Sequence, residues 1–427
     1  MRKQKPNISW IVKHNLCVGC GICVDSCPTK AISIRAKNGL FRPIVDEKKC
    51  NNAKGCHRCR LSCPGDQVNL KAMSDAAFDS EAAIKEHPYI GKYINAYFGY
   101  SNDDDIRYNG ASGGMTTQFL VYLLEQGYIQ GAVVTRFNKK SPFMVETFIA
   151  RSKDELLSAR SSKYCPVTMA GVISKIKQLD GKFAIVGLPC HLHGLRKYEQ
   201  MDKALKEKIF AHIGLYCSCG RTFKLTEYVM TSRNINREDL GFFTYRRGSG
   251  MGKMYAVMGD QSGKKEYEEG FQHYYLSLRS FFNIRRCMWC VDHFAELGDI
   301  CFGDLHVGKY IDIEKGISSI VTRASEMDEI LRKMEKEGLV SLDELPIKDL
   351  LDSQHFVKTK KHTNPAYMHI NSMMGCKVPN YDVEFSRTSL IKALKSYLVK
   401  TAQMFVGHHK SLYGLIRLGR KDMRGWK

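Results

Sequence analysis

CVGCGICVDSCP, residues 17–28, sets Cys17, Cys20, Cys23 and Cys27 in the pattern C-x2-C-x2-C-x3-C-P. Three closely spaced thiolates can wrap one face of an iron–sulfur cubane, while a fourth held before proline points away and reaches a second one. A partner run, CNNAKGCHRCRLSCP, supplies Cys50, Cys56, Cys59 and Cys63, with three extra residues between its first two cysteines. The pair predicts crossed ligation. Cys17, Cys20, Cys23 and Cys63 would hold one 4Fe–4S cluster, and Cys27, Cys50, Cys56 and Cys59 the other. Zinc is the alternative for any four thiolates, but two C-x3-C-P endings favour clusters. The insertion leaves a three-iron cluster open at the Cys50 site.

A further C-x-x-C, Cys287 and Cys290 in CMWC, lies far along the chain. Cys190 in GLPCHLHG and Cys217 in GLYCSCG each end a stretch that reads as a strand. Ends of neighbouring strands in an α/β sheet meet in space, where ligands usually bind. Four thiolates from three loops can hold a third cluster or a zinc ion, and the C-x-x-C pair alone can act as a redox dithiol. Spacing leaves all three open. Cys165, Cys219 and Cys301 read as buried small side chains.

Two loops carry weaker signals. NGASGGMTTQF places Asn109, Ser112, Gly113, Gly114, Thr116 and Thr117 directly before a helical pattern. Backbone amides there can cradle a phosphate or a ring oxygen, although a capped helix has the same appearance. SSKYCP adds Lys163 and Tyr164. RGSGMGKM is not a P-loop: Arg247 stands where the first glycine belongs and Met254 replaces the magnesium-binding hydroxyl. It reads as a glycine-rich hairpin turn.

The elements that must position these residues divide into segments. Residues 1–70 resemble a two-cluster ferredoxin domain of α+β type, with AISI and VNL as short strands. Residues 71–92, polar and alanine-rich, read as a linker. From 93 to 380, strand-like INAYFGYS, GAVVTRF, KFAIVGL and HIGLYC alternate with helical MTTQFLVYLLEQGY, VTMAGVISKIKQL and HGLRKYEQM, which predicts an α/β domain. Residues 381–427 form a basic amphipathic helical tail. In it Leu390, Ile391, Leu394 and Leu398 share one helical face, expected to pack on the core. Docking on a partner or an anionic bilayer, a peripheral membrane contact, is the alternative.

Composition is that of a globular protein, with 44% hydrophobic and 26% charged residues. No long apolar run reads as a membrane span, and the start lacks a secretory core. Sixteen cysteines without an export signal point to metal in a reducing cytoplasm, with contact at the inner membrane face open through the tail. The formal charge is +21, of which each 4Fe–4S cluster on four thiolates would offset about two. That balance suits an acidic carrier or an anionic surface. No nucleic-acid motif stands out.

NGASGG-x-x-T, SKY-x-P, G-x-PC, GL-x-C and C-x-x-C-x-D…AE-x-x-DI-x-x-GD, in that order over residues 93–310, together resemble the coenzyme F420 hydrogenase/dehydrogenase beta-subunit family, where F420 is a deazaflavin. The resemblance implies an FAD-binding α/β domain with its own 4Fe–4S cluster, and tips Cys190, Cys217, Cys287 and Cys290 toward iron–sulfur. It implies flavin contacts at Asn109, Ser112–Gly114, Thr116, Thr117, Lys163 and Tyr164, and catalytic roles for Lys163, Tyr164 and Asp304. His191 stands where the family commonly has glutamine, a candidate for proton transfer. The implied activity is an oxidoreductase that moves electrons between a hydride carrier and clusters through FAD. Its partners would be an acidic carrier, deazaflavin or ferredoxin, and a catalytic subunit.

Overall fold

The computed structural model describes residues 6–138, 140–248, 251–259, 264–278, 280–305, 310 and 315–416. Its centre is an eight-stranded sheet. In spatial order the strands are Val340–Glu344, Asn95–Ser101, Ser318–Thr322, Ile300–Asp304, Ile209–Leu215, Phe183–Gly187, Gly131–Asn138 and Ser141–Ala150. Ile300–Asp304, Ile209–Leu215, Phe183–Gly187 and Gly131–Asn138 run parallel, and antiparallel strands flank them on both sides. Parallel strands need both faces covered. Helix Met115–Glu125 supplies Phe119, Leu120 and Leu123 to one packed face, and Leu195 of helix Pro189–Glu199 packs with Ile185 and Phe183 on another. The expected strands and those two helices are therefore present. The helix expected over 167–179 shrinks to Ile173–Ile176. The strands on either side of the glycine-rich stretch, Leu240–Arg247 and Lys253–Met258, pair antiparallel, while Ser249 and Gly250 lie outside the described residues.

Around the first eight cysteines the strand expected at AISI forms from Ile32, and that expected at VNL keeps only Val68. Ile32–Lys37 pairs with Leu40–Val45, the strand next to it in sequence. Gln67–Val68 instead pairs in parallel with Asn380–Tyr381, and Leu70 opens a helix to Phe78. Residues 71–92 are not a loose linker. They hold most of that helix and a hairpin, Lys85–His87 with Gly91–Tyr93, and bury Met73, Phe78 and Ile90. Lys92 ties the two together through Asp75 and Asp79. The N-terminal segment is built into the rest: Ile22 and Cys20 share a core with Ile185 and Leu195, while Cys17, Cys23, Cys59 and Cys63 share one with Trp289, Tyr367 and Tyr397.

Helix Leu390–His408 reverses the tail expectation. Its buried residues are Ala393, Tyr397, Met404 and Gly407, and the face of Ile391, Leu394 and Leu398 points outward. Residues 417–427 of the tail lie outside the described residues. No helix among the described residues is long and apolar enough to cross a membrane.

Candidate functional site

Twelve thiols gather in three groups of four. Burial raises the pKa of Cys23 well above the usual thiol range, and its neighbours Cys20, Cys63 and Cys17 push it further. Cys63 is pushed up to about 12 by burial and by Cys17. Burial pushes Cys59 to about 11, with Cys27, Cys50 and Cys56 adding to it. These are the two crossed sets. The insertion is absorbed as a helical turn, Asn51–Lys54, which starts directly after Cys50, so Cys50 stays with its group.

At the third group burial raises Cys190, and Cys217, Cys287 and Cys290 raise it further. Cys190 opens helix Pro189–Glu199 and Cys217 follows strand Ile209–Leu215, so parallel neighbours deliver both thiols to one sheet end. CMWC is a 3-10 turn over Arg285–Trp289 pinned from two sides. The Asn364 amide donates to the carbonyls of Cys287 (3.3 Å) and Cys290 (2.7 Å). Arg286 donates to the carbonyls of Gly65 (3.0 Å) and Pro64 (3.1 Å), linking this turn to the N-terminal cysteines. Among the described residues, no group of three or more Cys, His, Asp or Glu closes to the spacing of a single metal ion.

Like-charged ligands crowded in fours, with buried cations beside them, fit iron–sulfur cubanes, which carry net negative charge once bound. Lys360, nearly fully buried, would have its pKa pulled down by burial alone, yet the thiols of Cys290, Cys217, Cys287 and Cys219 hold it up. Lys197 and Arg286 do the corresponding work at Cys63. Cys219 corrects its sequence reading: it is hydrogen-bonded with Cys287, which lowers its pKa, so it is a fifth thiol of this group. Cys165 and Cys301 are buried, as expected, with the Arg323 guanidinium 2.9 Å from the Cys301 sulfur.

The groups adjoin. Cys59 is among the neighbours that raise Cys23, which links the first two sets, and Cys190 is among those that raise Cys20, which links the first to the third. On the far side of the third group, Tyr275 is close enough to feel Cys219 and Cys217. Its ring lies 4.4 Å from that of Tyr164. Tyr164, pushed up to about 12 by burial, in turn feels Arg246 and Asp304.

Arg246 is the hub the sequence did not reveal. Its guanidinium donates to both carboxylate oxygens of Asp304 at 2.8 Å and reaches the Ser112 hydroxyl at 3.5 Å. Its carbonyl accepts from Ser161. One buried arginine thus joins the three loops singled out from sequence, those of Ser112, Ser161 and Asp304.

The flavin expectation fits this place in part. Helix Met115–Glu125 starts at Gly114 (φ 74°) with no side chain capping its amides, and Thr116 and Thr117 are half-buried in the first turn, a start suited to a phosphate. Gly113 donates its N–H to the Ser318 hydroxyl at 3.0 Å. A Cβ there would lie 2.6 Å from the Gly99 carbonyl oxygen, so a side chain would pry the sheet apart before it met any ligand.

Three expected residues are engaged elsewhere. The Asn109 amide turns back to Asp105 at 2.7 Å. Burial lowers Lys163 to about 7, and its amine donates to the carbonyls of Ala159, Arg160 and Ser161 at 2.6, 2.6 and 2.9 Å, capping the preceding helix. His191, lowered to about 4 by burial, accepts from the Leu188 N–H at 3.2 Å and faces the Val167 carbonyl at 3.3 Å. Both of its nitrogens are occupied, so it holds a loop and is not placed to move a proton.

Residues 96–174 match the model of the coenzyme F420 hydrogenase/dehydrogenase beta-subunit N terminus, and 180–348 that of its C terminus, together more than half of the chain. Residues 16–67 match a 4Fe-4S dicluster domain. The coenzyme F420-dependent sulfite reductase of Methanocaldococcus jannaschii is 26% identical over 79% of this chain, which spans about half (49%) of that protein. The coenzyme F420 hydrogenase subunit beta of Methanothermobacter thermautotrophicus is 26% identical over 58% of this chain and 84% of its own length. A chain of the F420-reducing [NiFe] hydrogenase complex of Methanosarcina barkeri superposes with a TM-score of 0.52 at 20% identity, over 69% of this chain and 98% of that one.

Proposed function

The chain belongs to the coenzyme F420 hydrogenase/dehydrogenase beta-subunit family, and from that premise we propose an iron–sulfur flavoprotein oxidoreductase that moves electrons between an F420-like hydride carrier and three 4Fe–4S clusters through FAD. The observation that carries this reading is continuity. Three thiol groups adjoin through Cys59–Cys23 and Cys20–Cys190, and the last meets Tyr275, Tyr164 and the Arg246–Asp304 pair.

Each protein group has a definable task. The cysteines hold the clusters, and Lys360, Arg286 and Lys197 offset their charge. Tyr164, Tyr275 and Phe271, packed at ring distances of 4.4 to 5.3 Å, keep water from the space between the third group and Arg246. Arg246 fixes Asp304 and Ser112. The uncapped start of Met115–Glu125 and the hydroxyls of Thr116 and Thr117 would take the flavin phosphates. A bound flavin supplies the exchange between two-electron hydride and single electrons.

The family resemblance also supports a second reading. Relatives are named as subunits of hydrogenases and dehydrogenases, so this chain would pass its electrons to a catalytic partner or an acidic carrier. A ferredoxin-dependent reductase of an organic substrate uses the same parts in the opposite direction. Removing residues 1–70 would not separate these readings, because that segment shares two cores with the rest; point variants are needed.

Anaerobically purified protein is expected to hold about twelve irons and Cys287→Ser about eight, four per cubane. Unchanged iron in Cys287→Ser, or stoichiometric zinc in the parent, would remove the third cluster.

A further inference from the structure

Helix Leu390–His408 is apolar on two opposite sides. The inner side packs Ala393, Tyr397, Met404 and Gly407 onto the molecule. The outer side exposes Ile391 (83%), Leu394 (44%), Leu398 (58%) and Phe405 (58%). At 100° per residue these four fall within one narrow arc, and from Ile391 to Phe405 the stripe runs ~21 Å. A stripe of that length is more than scattered surface hydrophobics.

Its surroundings are basic. On another flank of the helix a groove of about 490 Å³ is lined by Lys392, Lys395 and Lys400 with Ser280, Ser396, Val399 and Gln403; Lys395 lies nearest the stripe, and Lys400 sits over the Tyr367 ring on the inner side. From Asp382 to the end, ten Lys or Arg stand against three Asp or Glu, and no acid occurs between Phe385 and Lys421. A second copy of this chain would bring the same positive face, in a molecule already at +21, so self-association is disfavoured by charge. The cations are also distributed along helix and tail, whereas recognition of one acidic protein would gather them opposite particular carboxylates.

We propose that the outward face of Leu390–His408 docks the protein, reversibly and in the plane of the surface, on an anionic lipid bilayer. Ile391, Leu394, Leu398 and Phe405 would enter the headgroup–acyl boundary while Lys392 and Lys395 meet lipid phosphates. The docking would hold a redox protein at a surface through a helix lying in its plane, and it is independent of the nature of the hydride carrier.

The test is co-sedimentation of the full-length, cluster-loaded protein with vesicles of phosphatidylcholine, with and without phosphatidylglycerol. Binding is expected only with the anionic lipid, weakening as salt rises. Ile391→Glu and Leu398→Glu, both at exposed positions, should retain parental iron content and lose binding by tenfold or more, on the order expected for withholding one leucine from an apolar phase. Lys392→Glu/Lys395→Glu should weaken binding to the anionic vesicles as well. Failure to sediment with phosphatidylglycerol vesicles, or unchanged sedimentation of Leu398→Glu, would overturn the proposal. So would a dimer in ultracentrifugation that Leu398→Glu dissolves, since a second copy would then cover the face.

Discussion

Arg246→Met is expected to cost the protein both stability and affinity for the proposed flavin. The arginine is buried and its guanidinium bridges Asp304 and Ser112. Burial alone would lower its pKa, but Asp304 more than reverses that. Methionine fills much of the volume and removes the buried charge that Asp304 faces. Breaking a buried ion pair from one side costs 3–5 kcal/mol; because Asp304 keeps 32% of its side chain in solvent, the low end applies, about 3 kcal/mol. The loops of Ser112 and Ser161 lose their common anchor at the same time. Arg246→Lys keeps the charge without the two-pronged fork and should fall between parent and Met. Denaturation midpoints and the flavin retained after gel filtration measure the two effects. A variant with parental stability and full flavin would show that the three loops do not depend on this residue.

Lys360→Met is expected to shift the potential of the proposed third cluster. Lys360 sits in a π-helical turn, Thr359–Thr363, which leads into helix Asn364–Met373, so the segment that presents its ammonium also pins CMWC through Asn364. Reduction adds a negative charge, which a nearby buried cation stabilises. Its removal should therefore make the cluster harder to reduce, by on the order of 100 mV for one unit charge at close range in a medium of effective dielectric near 20. Iron bound at this site should also be lost more readily to a chelator, while the two N-terminal clusters stay put. Lys360→Arg should restore most of the potential. Potentiometric titration followed by electron paramagnetic resonance distinguishes the clusters. An unshifted potential in a fully loaded Lys360→Met protein would mean that charge here is set elsewhere.

The N-terminal thiol groups were legible because ligand spacing is a local, nearly covalent constraint: two short runs bring their own geometry. The third group was half legible. Strand ends placed Cys190 and Cys217, but Cys219 looked inert, since hydrogen bonding to Cys287 is a tertiary fact. Arg246 and Lys360 left no sequence signal beyond a charged residue in an ordinary strand or a polar stretch.

Residues 71–92 were misjudged because composition does not reveal where Phe78 and Ile90 go. The C-terminal helix shows why periodicity finds a stripe and cannot say which side the core takes. The inner side combines the small Ala393 and Gly407 with Tyr397 and Met404; a Cβ on Gly407 would collide with the Phe281 carbonyl oxygen, an approach no bulky aliphatic face allows.

The most direct measurement is anaerobic mixing of the FAD-reconstituted protein with reduced F420, or with a reduced nicotinamide, while the cluster absorbance is followed. Bleaching of the cluster bands that requires bound flavin is the expected result. Clusters that dithionite bleaches but that no hydride donor reaches, with FAD demonstrably bound, would contradict a chain that turns hydride into single electrons.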